Sequence, residues 1–586
     1  MVSGFSRTVC GGQSILGRAV TFSLPAARSD RLRDLCALAG IAAFFGVGWL
    51  LVGPGGDVPV IDDWVYAWSV QHLLETGRLQ VLEFSAIYPV AQIAWGALFA
   101  RVGGFSFVAL RLSTVVLSII GCWAVYLTLL ELGCRRSTSL LGAFAVACDP
   151  AFFALSFSFM TDVPFVDLSA VAVFFYVSAV QRDQSSRLWI AGVWAIAAFL
   201  VRPIGIALPL IAVPALIVRR GWRQAVRRAL LPIGVPVAVM AALQVGLPRA
   251  LGPLDWAAIR GDQLRWWFSI SLLTYLNWTI RIVLEAVFPL APLLLAPAIG
   301  WRRALAIAAI AVLLIVPIRR ARGEIPPPLP DWQTWSLQDI GARALIPGDA
   351  TPSPWSMRVM PIMRGLGLLT VASLILVCLR GLFGRRRPPA RSETAGDGSA
   401  RRAGAYADTP HSGGGWSRGH LVVISHAAVL LGAIHALWLY NDRYYLVLAP
   451  AVAIVAASAI DNDTRAQWVA AALLVAWATI AITGTRDLLG FNAVCAAETR
   501  RLEASGVPPY EIDAGYPLNG WRLYAHPENL PPGADRRYDV PFVTGGRSTK
   551  FAMMSHPVPG TEVLRIVPLP RATWQATREL FVVKRP

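Results

Sequence analysis

Runs of about twenty residues with almost no charge recur along this chain, and each is as long as a helix must be to cross the bilayer hydrocarbon. Leu35–Val52, Leu110–Leu130 and Ala466–Thr483 are three of them. With 55% hydrophobic and only 15% charged residues among 586, and a mean hydropathy of +0.54, the composition excludes a soluble globular fold. The expected spans are 35–53, 108–131, 138–156, 164–181, 187–201, 203–218, 229–247, 277–299, 304–318, 364–380, 420–438, 443–459 and 466–483. The expected fold class is therefore an all-α polytopic membrane protein of about thirteen transmembrane helices, with a small extracytoplasmic α/β domain at its C-terminus.

The first run follows a basic tail with Arg28, Arg31 and Arg33 and leads into Gly-Pro-Gly-Gly, which reads as a retained signal anchor rather than a cleaved signal peptide. The formal charge of +18 is carried almost wholly by arginine. Loop bias toward the cytoplasm accounts for it, and no nucleic acid is implied. With residues 1–34 inside, Arg135 and Arg136, then Arg219 to Arg228, Arg302 and Arg303, and Arg385 to Arg387 all fall on the cytoplasmic side. Arg319, Arg320 and Arg322 fall outside and break the pattern. The apolar stretch Ile87–Val102 is expected in the interface, because one more crossing would invert every later loop, with an ordinary transmembrane helix as the alternative.

The transmembrane domain thus covers 35–483, with outer loops at 54–107 and 319–363 and a disordered cytoplasmic linker at 384–419, rich in Arg, Gly, Ser and Pro. Residues 484–586 form a polar periplasmic domain. Seven scattered cysteines include no CxxC pair, so neither a zinc site nor a disulfide framework is indicated. No Gly-rich phosphate loop followed by Lys-Ser or Lys-Thr is present, and no dinucleotide fingerprint.

Chemistry can be carried by a few charged residues at the outer membrane edge. Asp62 and Asp63 precede an aromatic, helix-like run with Trp64, Tyr66 and Trp68. One aspartate suits a helix cap; a doublet also suits a hydroxyl-binding site with a general base. Thr161-Asp162 before Pro164 is a second acidic site, again readable as a helix start. Arg202, in FLVRPIGIALP, and Arg443, in YNDRYYLVLAP, are either snorkelling residues or bidentate phosphate contacts. Charges retained at the hydrocarbon edge favour a functional role.

The order of these features resembles the polytopic GT-C glycosyltransferases of the protein O-mannosyltransferase and lipid A aminoarabinose transferase type, a bacterial glycosyltransferase family 39-like pattern. An acidic doublet, an interfacial stretch, a span opening LRLSTVVLSIIG, a Thr-Asp site, a basic residue with Gly and Pro between helices, and an Arg-Tyr re-entry follow one another. The resemblance covers residues 57–220 and 436–460. It implies Asp62 as catalytic base with Asp63 as alternative, Asp162 as second acid, and Arg202 and Arg443 as substrate contacts beside Tyr66 and Tyr88. Tyr88-Pro89 departs from the His-Pro-Pro of many relatives. The implied reaction is sugar transfer from a polyprenyl-phosphate donor to a hydroxyl or amine of a lipid, glycan or protein acceptor, with inversion. The implied place is the outer face of a bacterial inner membrane, among its lipids. No cofactor or metal is required, and a divalent cation is compatible. A transporter or lipid flippase is the rival reading, and a ligase joining a preassembled polysaccharide to a lipid core a third.

Overall fold

The computed structural model describes residues 28–54, 56–254, 271–322, 354–383, 416–436, 442–541, 549–554, 557, 559–569 and 578–586. Most of the expected outer loop 319–363 and cytoplasmic linker 384–419, and the first 27 residues of the N-terminal tail, lie outside them. The principal helices are α1 (Arg28–Val52), α2 (Asp63–Thr76), α3 (Val90–Gly103), α4 (Phe107–Glu131), α5 (Arg136–Ala147), α6 (Pro150–Ser156), α7 (Asp162–Arg182), α8 (Ser185–Phe199), α9 (Val213–Arg220) and α10 (Trp222–Leu251). After them come α11 (Leu272–Val287), α12 (Trp301–Arg322), α13 (Pro354–Phe383), α14 (Arg418–Ala436), α15 (Ala449–Ala459) and α16 (Thr464–Ala504).

Among the described residues nine helices are long and apolar enough to cross a membrane, or ten if the pair α5 and α6 counts as one broken span. That pair is bent by 69°. Pro150 opens α6 and cannot continue the ladder of α5, while the Asp149 carboxylate accepts the free N–H groups of Ala151 and Phe152 at 2.9 and 3.2 Å. The expected span 187–201 becomes α8, whose 15 residues rise about 22 Å and return the chain from the Asp183 end of α7 to Arg202, which meets Asp162 at the other end. The stretch expected in the interface becomes α3, with 14 residues too short to cross.

The innermost helix is α7: 89% of its apolar window is buried, against 22% for α1 and α10. It packs on α4, α8 and α14. A pair of hydrogen bonds ties α3 to this core, Gln92 Nε2 donating to the Phe159 carbonyl at 2.8 Å and Trp95 Nε1 to that of Ser113 at 2.9 Å.

At 41 residues α16 rises about 62 Å, twice the hydrocarbon thickness, so it does not stop at 483 but runs out of the bundle to Ala504. Its projecting end carries a four-stranded sheet of β1 (Ile512–Asp513), β2 (Phe551–Met554), β3 (Glu562–Pro568) and β4 (Glu579–Lys584), ordered β1-β2-β4-β3. The β1–β2 pair is parallel and the other two are antiparallel, with Ala552 facing Val583. Phe491 and Cys495 of α16 meet Ile512, Met553, Leu580 and Val582 in a small core that also takes Val58 from the first loop.

Candidate active site

The loop before α2 is pinned before any side chain of the site is placed. Arg111, fully buried in α4, donates to the carbonyls of Gly56 at 3.2 Å and Val58, while Asp57 accepts the Phe107 N–H at 2.5 Å. These contacts give the Arg111-Leu112-Ser113 stretch near the start of α4 a physical task. Ile61 then turns into the left-handed region at φ 54°, a strained conformation for a β-branched residue that costs on the order of 1–3 kcal/mol. The turn separates the two aspartates that follow.

Asp63 faces inward. It is fully buried, accepts the Val60 N–H at 2.7 Å, and leaves its second oxygen without a hydrogen-bond partner. Burial pushes its carboxyl up to about 7, against the opposing pull of Arg111. Asp62 stands at the cap position of α2 but makes no capping bond. Its carboxylate turns into the site, where Oδ2 accepts from Arg443 at 2.8 Å and Oδ1 from the Tyr516 hydroxyl at 2.5 Å.

A second acid–arginine pair stands beside the first. Asp162 opens α7, and its Oδ1 accepts from Arg202 Nη2 at 2.7 Å. Thr161 Oγ1 accepts from the same guanidinium at 2.9 and 3.0 Å instead of capping the helix. The Tyr444 ring joins the two pairs, with the Arg202 guanidinium 4.8 Å and that of Arg443 5.3 Å from its centroid. Tyr66, buried on α2, lies within electrostatic range of Asp62, Arg202 and Arg443, and its phenol is pushed upward by burial and by the Asp62 charge. Asp62, Asp162, Arg202, Arg443 and Tyr66 therefore come together from loops far apart in sequence. Asp63 sits behind them. Tyr88 donates to the Gly252 carbonyl at 2.6 Å.

Two residues of the cluster escape sequence reasoning. Tyr444 is masked by the arginine next to it. Tyr516 comes from the C-terminal domain, 454 positions from its partner, and neither charge nor hydropathy marks it. Its phenol is pushed upward by burial and by Asp62, so it keeps its proton and donates. The segment that carries it is wedged onto the first loop: Trp64, fully buried, packs on Phe84, Tyr516 and Tyr524, and Arg536 pairs with Glu83. No group of three His, Cys, Asp or Glu side chains suited to a metal occurs among the described residues.

Residues 89–246, from α3 through most of α10, match the family model described as dolichyl-phosphate-mannose-protein mannosyltransferase. The matched stretch is 158 of the 586 residues, and over it the chain resembles that GT-C family. The matched stretch contains Asp162 and Arg202, while Asp62, Arg443 and Tyr516 lie outside it. The comparison with curated proteins found no match. Among solved structures, the chain is similar to ArnT from Cupriavidus metallidurans bound to undecaprenyl phosphate, at 14% identity over 95% of this chain and 98% of that one, with a TM-score of 0.36. It is also similar to an Archaeoglobus fulgidus oligosaccharyltransferase tethered to an acceptor peptide, at 12% identity over 80% and 57% of the two chains, TM-score 0.39. Arabinosyltransferase EmbB from Mycobacterium smegmatis follows at 13% identity over 85% and 45%, TM-score 0.31. Likeness at these values does not establish a shared arrangement of the site.

Proposed function

We propose that this chain is a GT-C-type inverting glycosyltransferase that moves a sugar from a polyprenyl-phosphate donor to an acceptor hydroxyl or amine of a lipid, glycan or protein. The observation that carries the reading is the convergence of Asp62, Asp162, Arg202 and Arg443 around the Tyr444 ring. A lipid-phosphate-linked donor accords with the description of the matching family. The site faces the outer side of a bacterial inner membrane in this reading, and the step needs no cofactor.

Asp62 is the base, because its side chain keeps 21% exposure while Asp63 has none. The acceptor oxygen attacks the anomeric carbon as its proton passes to Asp62. The bond from that carbon to the lipid phosphate breaks, and its electron pair leaves on the phosphate. Arg202 and Arg443 offset the charge that develops there. A single displacement inverts the anomeric centre. Each guanidinium already faces a carboxylate, so a phosphate drawing on Arg443 loosens its hold on Asp62 and leaves that carboxylate freer to take a proton.

The test is transfer by purified protein from a panel of radiolabelled polyprenyl-phosphate sugars. Label leaves at least one donor with the wild type, and Asp62→Asn lowers turnover about a hundredfold, since an amide cannot take the proton. A wild type that releases no label from any donor would sink the assignment, and the transporter reading would replace it.

A further inference from the structure

The far end of α7 lies about 31 Å from Asp162, a bilayer's hydrocarbon thickness away, and there four helix ends meet. Asp183 closes α7 in the left-handed conformation, φ 59°. Arg219 and Arg220 end α9, Arg223, Arg227 and Arg228 occupy the first two turns of α10, and Arg418 opens α14. The helices pack together, α9 on both α10 and α14, and α14 on α7.

Six arginines thus stand at the ends of these helices, and three of them face one carboxylate. Asp183 pairs with Arg220 and stands 3.8 Å from Arg219 and 3.5 Å from Arg228. The neighbouring Glu131 is taken by Arg182 at 2.6 Å. Arg219 also feels the like charges of Arg220, Arg228 and Arg418. Arg220 Nε is buried without a hydrogen-bond partner. Arg223 and Arg227 are exposed, and no carboxylate among the described residues pairs with them. Placement of arginines on one side of a membrane follows from loop bias alone. Their concentration at a single junction, where each repels the next and the local charge is far from balanced, does not.

The surroundings indicate what supplies the missing negative charge. On α10, Trp222 is 66% exposed and Leu230 and Leu231 are each 63% exposed, so an apolar flank begins where the arginines end. Tryptophan at that junction suits the headgroup level of a bilayer. Arg223 and Arg227 are four residues apart, which sets them on one helical face about 6 Å from each other. That spacing presents two forks to one phosphate, with acyl chains free to lie along Leu230 and Leu231.

We propose that the junction of α7, α9, α10 and α14 is a binding site for an anionic phospholipid, its phosphate held by Arg223 and Arg227. The site is on the membrane face opposite the aspartate cluster and is independent of the glycosyltransferase reading. Electrostatic attraction to such headgroups amounts to about one kcal/mol per basic residue near the surface.

Purified full-length protein is delipidated in detergent and titrated with cardiolipin, phosphatidylglycerol or phosphatidylcholine, and bound lipid is counted by native mass spectrometry. Cardiolipin and phosphatidylglycerol bind and phosphatidylcholine does not. The R223Q/R227Q double variant binds the anionic lipids roughly thirtyfold more weakly, while Arg465→Gln, a change of one exposed arginine at the start of α16, binds as wild type. All three proteins melt alike in phosphatidylcholine, which shows that the fold is intact. Equal binding of phosphatidylcholine, or unchanged affinity in the double variant, overturns the proposal. Displacement of the lipid by millimolar inorganic phosphate would reassign the arginines to a free-anion site.

Discussion

The doublet Asp62-Asp63 shows how one residue's displacement along a turn divides labour between identical side chains. Asp63 is sealed inside, and its carboxyl, raised from 3.8 to about 7, holds a proton in the fold that it would lose in the open chain. Between those two values the folded state binds more protons, so stability falls as pH rises from about 4 to 7 and levels off above. Asp63→Asn removes that slope: thermal unfolding from pH 5 to pH 8 drops less for the variant than for wild type. Equal slopes would show that Asp63 is charged in the fold. Tyr516 can be tested against Asp62 in the same spirit. Losing its hydroxyl frees one oxygen of the base from its fixed orientation, so Tyr516→Phe lowers turnover about tenfold, the range of one charge-assisted hydrogen bond. In an Asp62→Asn background the same change costs nothing further, because both act through one carboxylate. Additive losses would give Tyr516 a separate task.

Elements were legible where a single face or a single cap decides them. The runs that became α1, α4, α7 and α16 announce themselves by length, and Asp149-Pro150 carries both the stop of one helix and the cap of the next, although the apolar sequence around it reads as one span. The C-terminal boundary was less legible because the signal changes sense midway along α16: polarity rises after 483, yet the helix continues, since charged surface is as compatible with a helix in water as apolar surface is in lipid. Docking of the segment after α16 depends on a contact that no periodicity encodes. Gly520 approaches the Trp64 ring so closely that a Cβ placed there would stand 2.3 Å from it. Trp64 is enclosed by Phe84, Tyr516 and Tyr524 and has no room to yield. Gly520→Val therefore lifts the segment from the first loop, and limited proteolysis cleaves the variant near residue 530 at protease levels that leave wild type whole.

At the scale of the whole molecule, three contacts fix which parts share a face, and only the absolute orientation is left to the arginines. The pairs Asp62–Arg443, Asp162–Arg202 and Asp62–Tyr516, with the two guanidinium groups joined over the Tyr444 ring, put the first loop, the start of α7, the re-entry before α15 and the C-terminal domain on one side. Helix α7 then carries Asp183 to the other. The acidic and basic candidates could be grouped from sequence because span counting alone brings them to one face, whereas Tyr516 could not, since which surface a soluble tail docks on is a matter of shape. On the Asp183 side lie Arg135, Arg136, Arg182, Arg219, Arg220, Arg223, Arg227, Arg228 and Arg418, a surplus that the positive-inside rule assigns to the cytoplasm. A reporter active only outside the cytoplasm is accordingly silent when fused after Gln184 and active when fused after Asp535. Both fusions active, or both silent, would contradict the single crossing by α7. The reversed pattern would keep every contact of the site but turn it toward the cytoplasm, where the donor and acceptor would have to be met on the other leaflet.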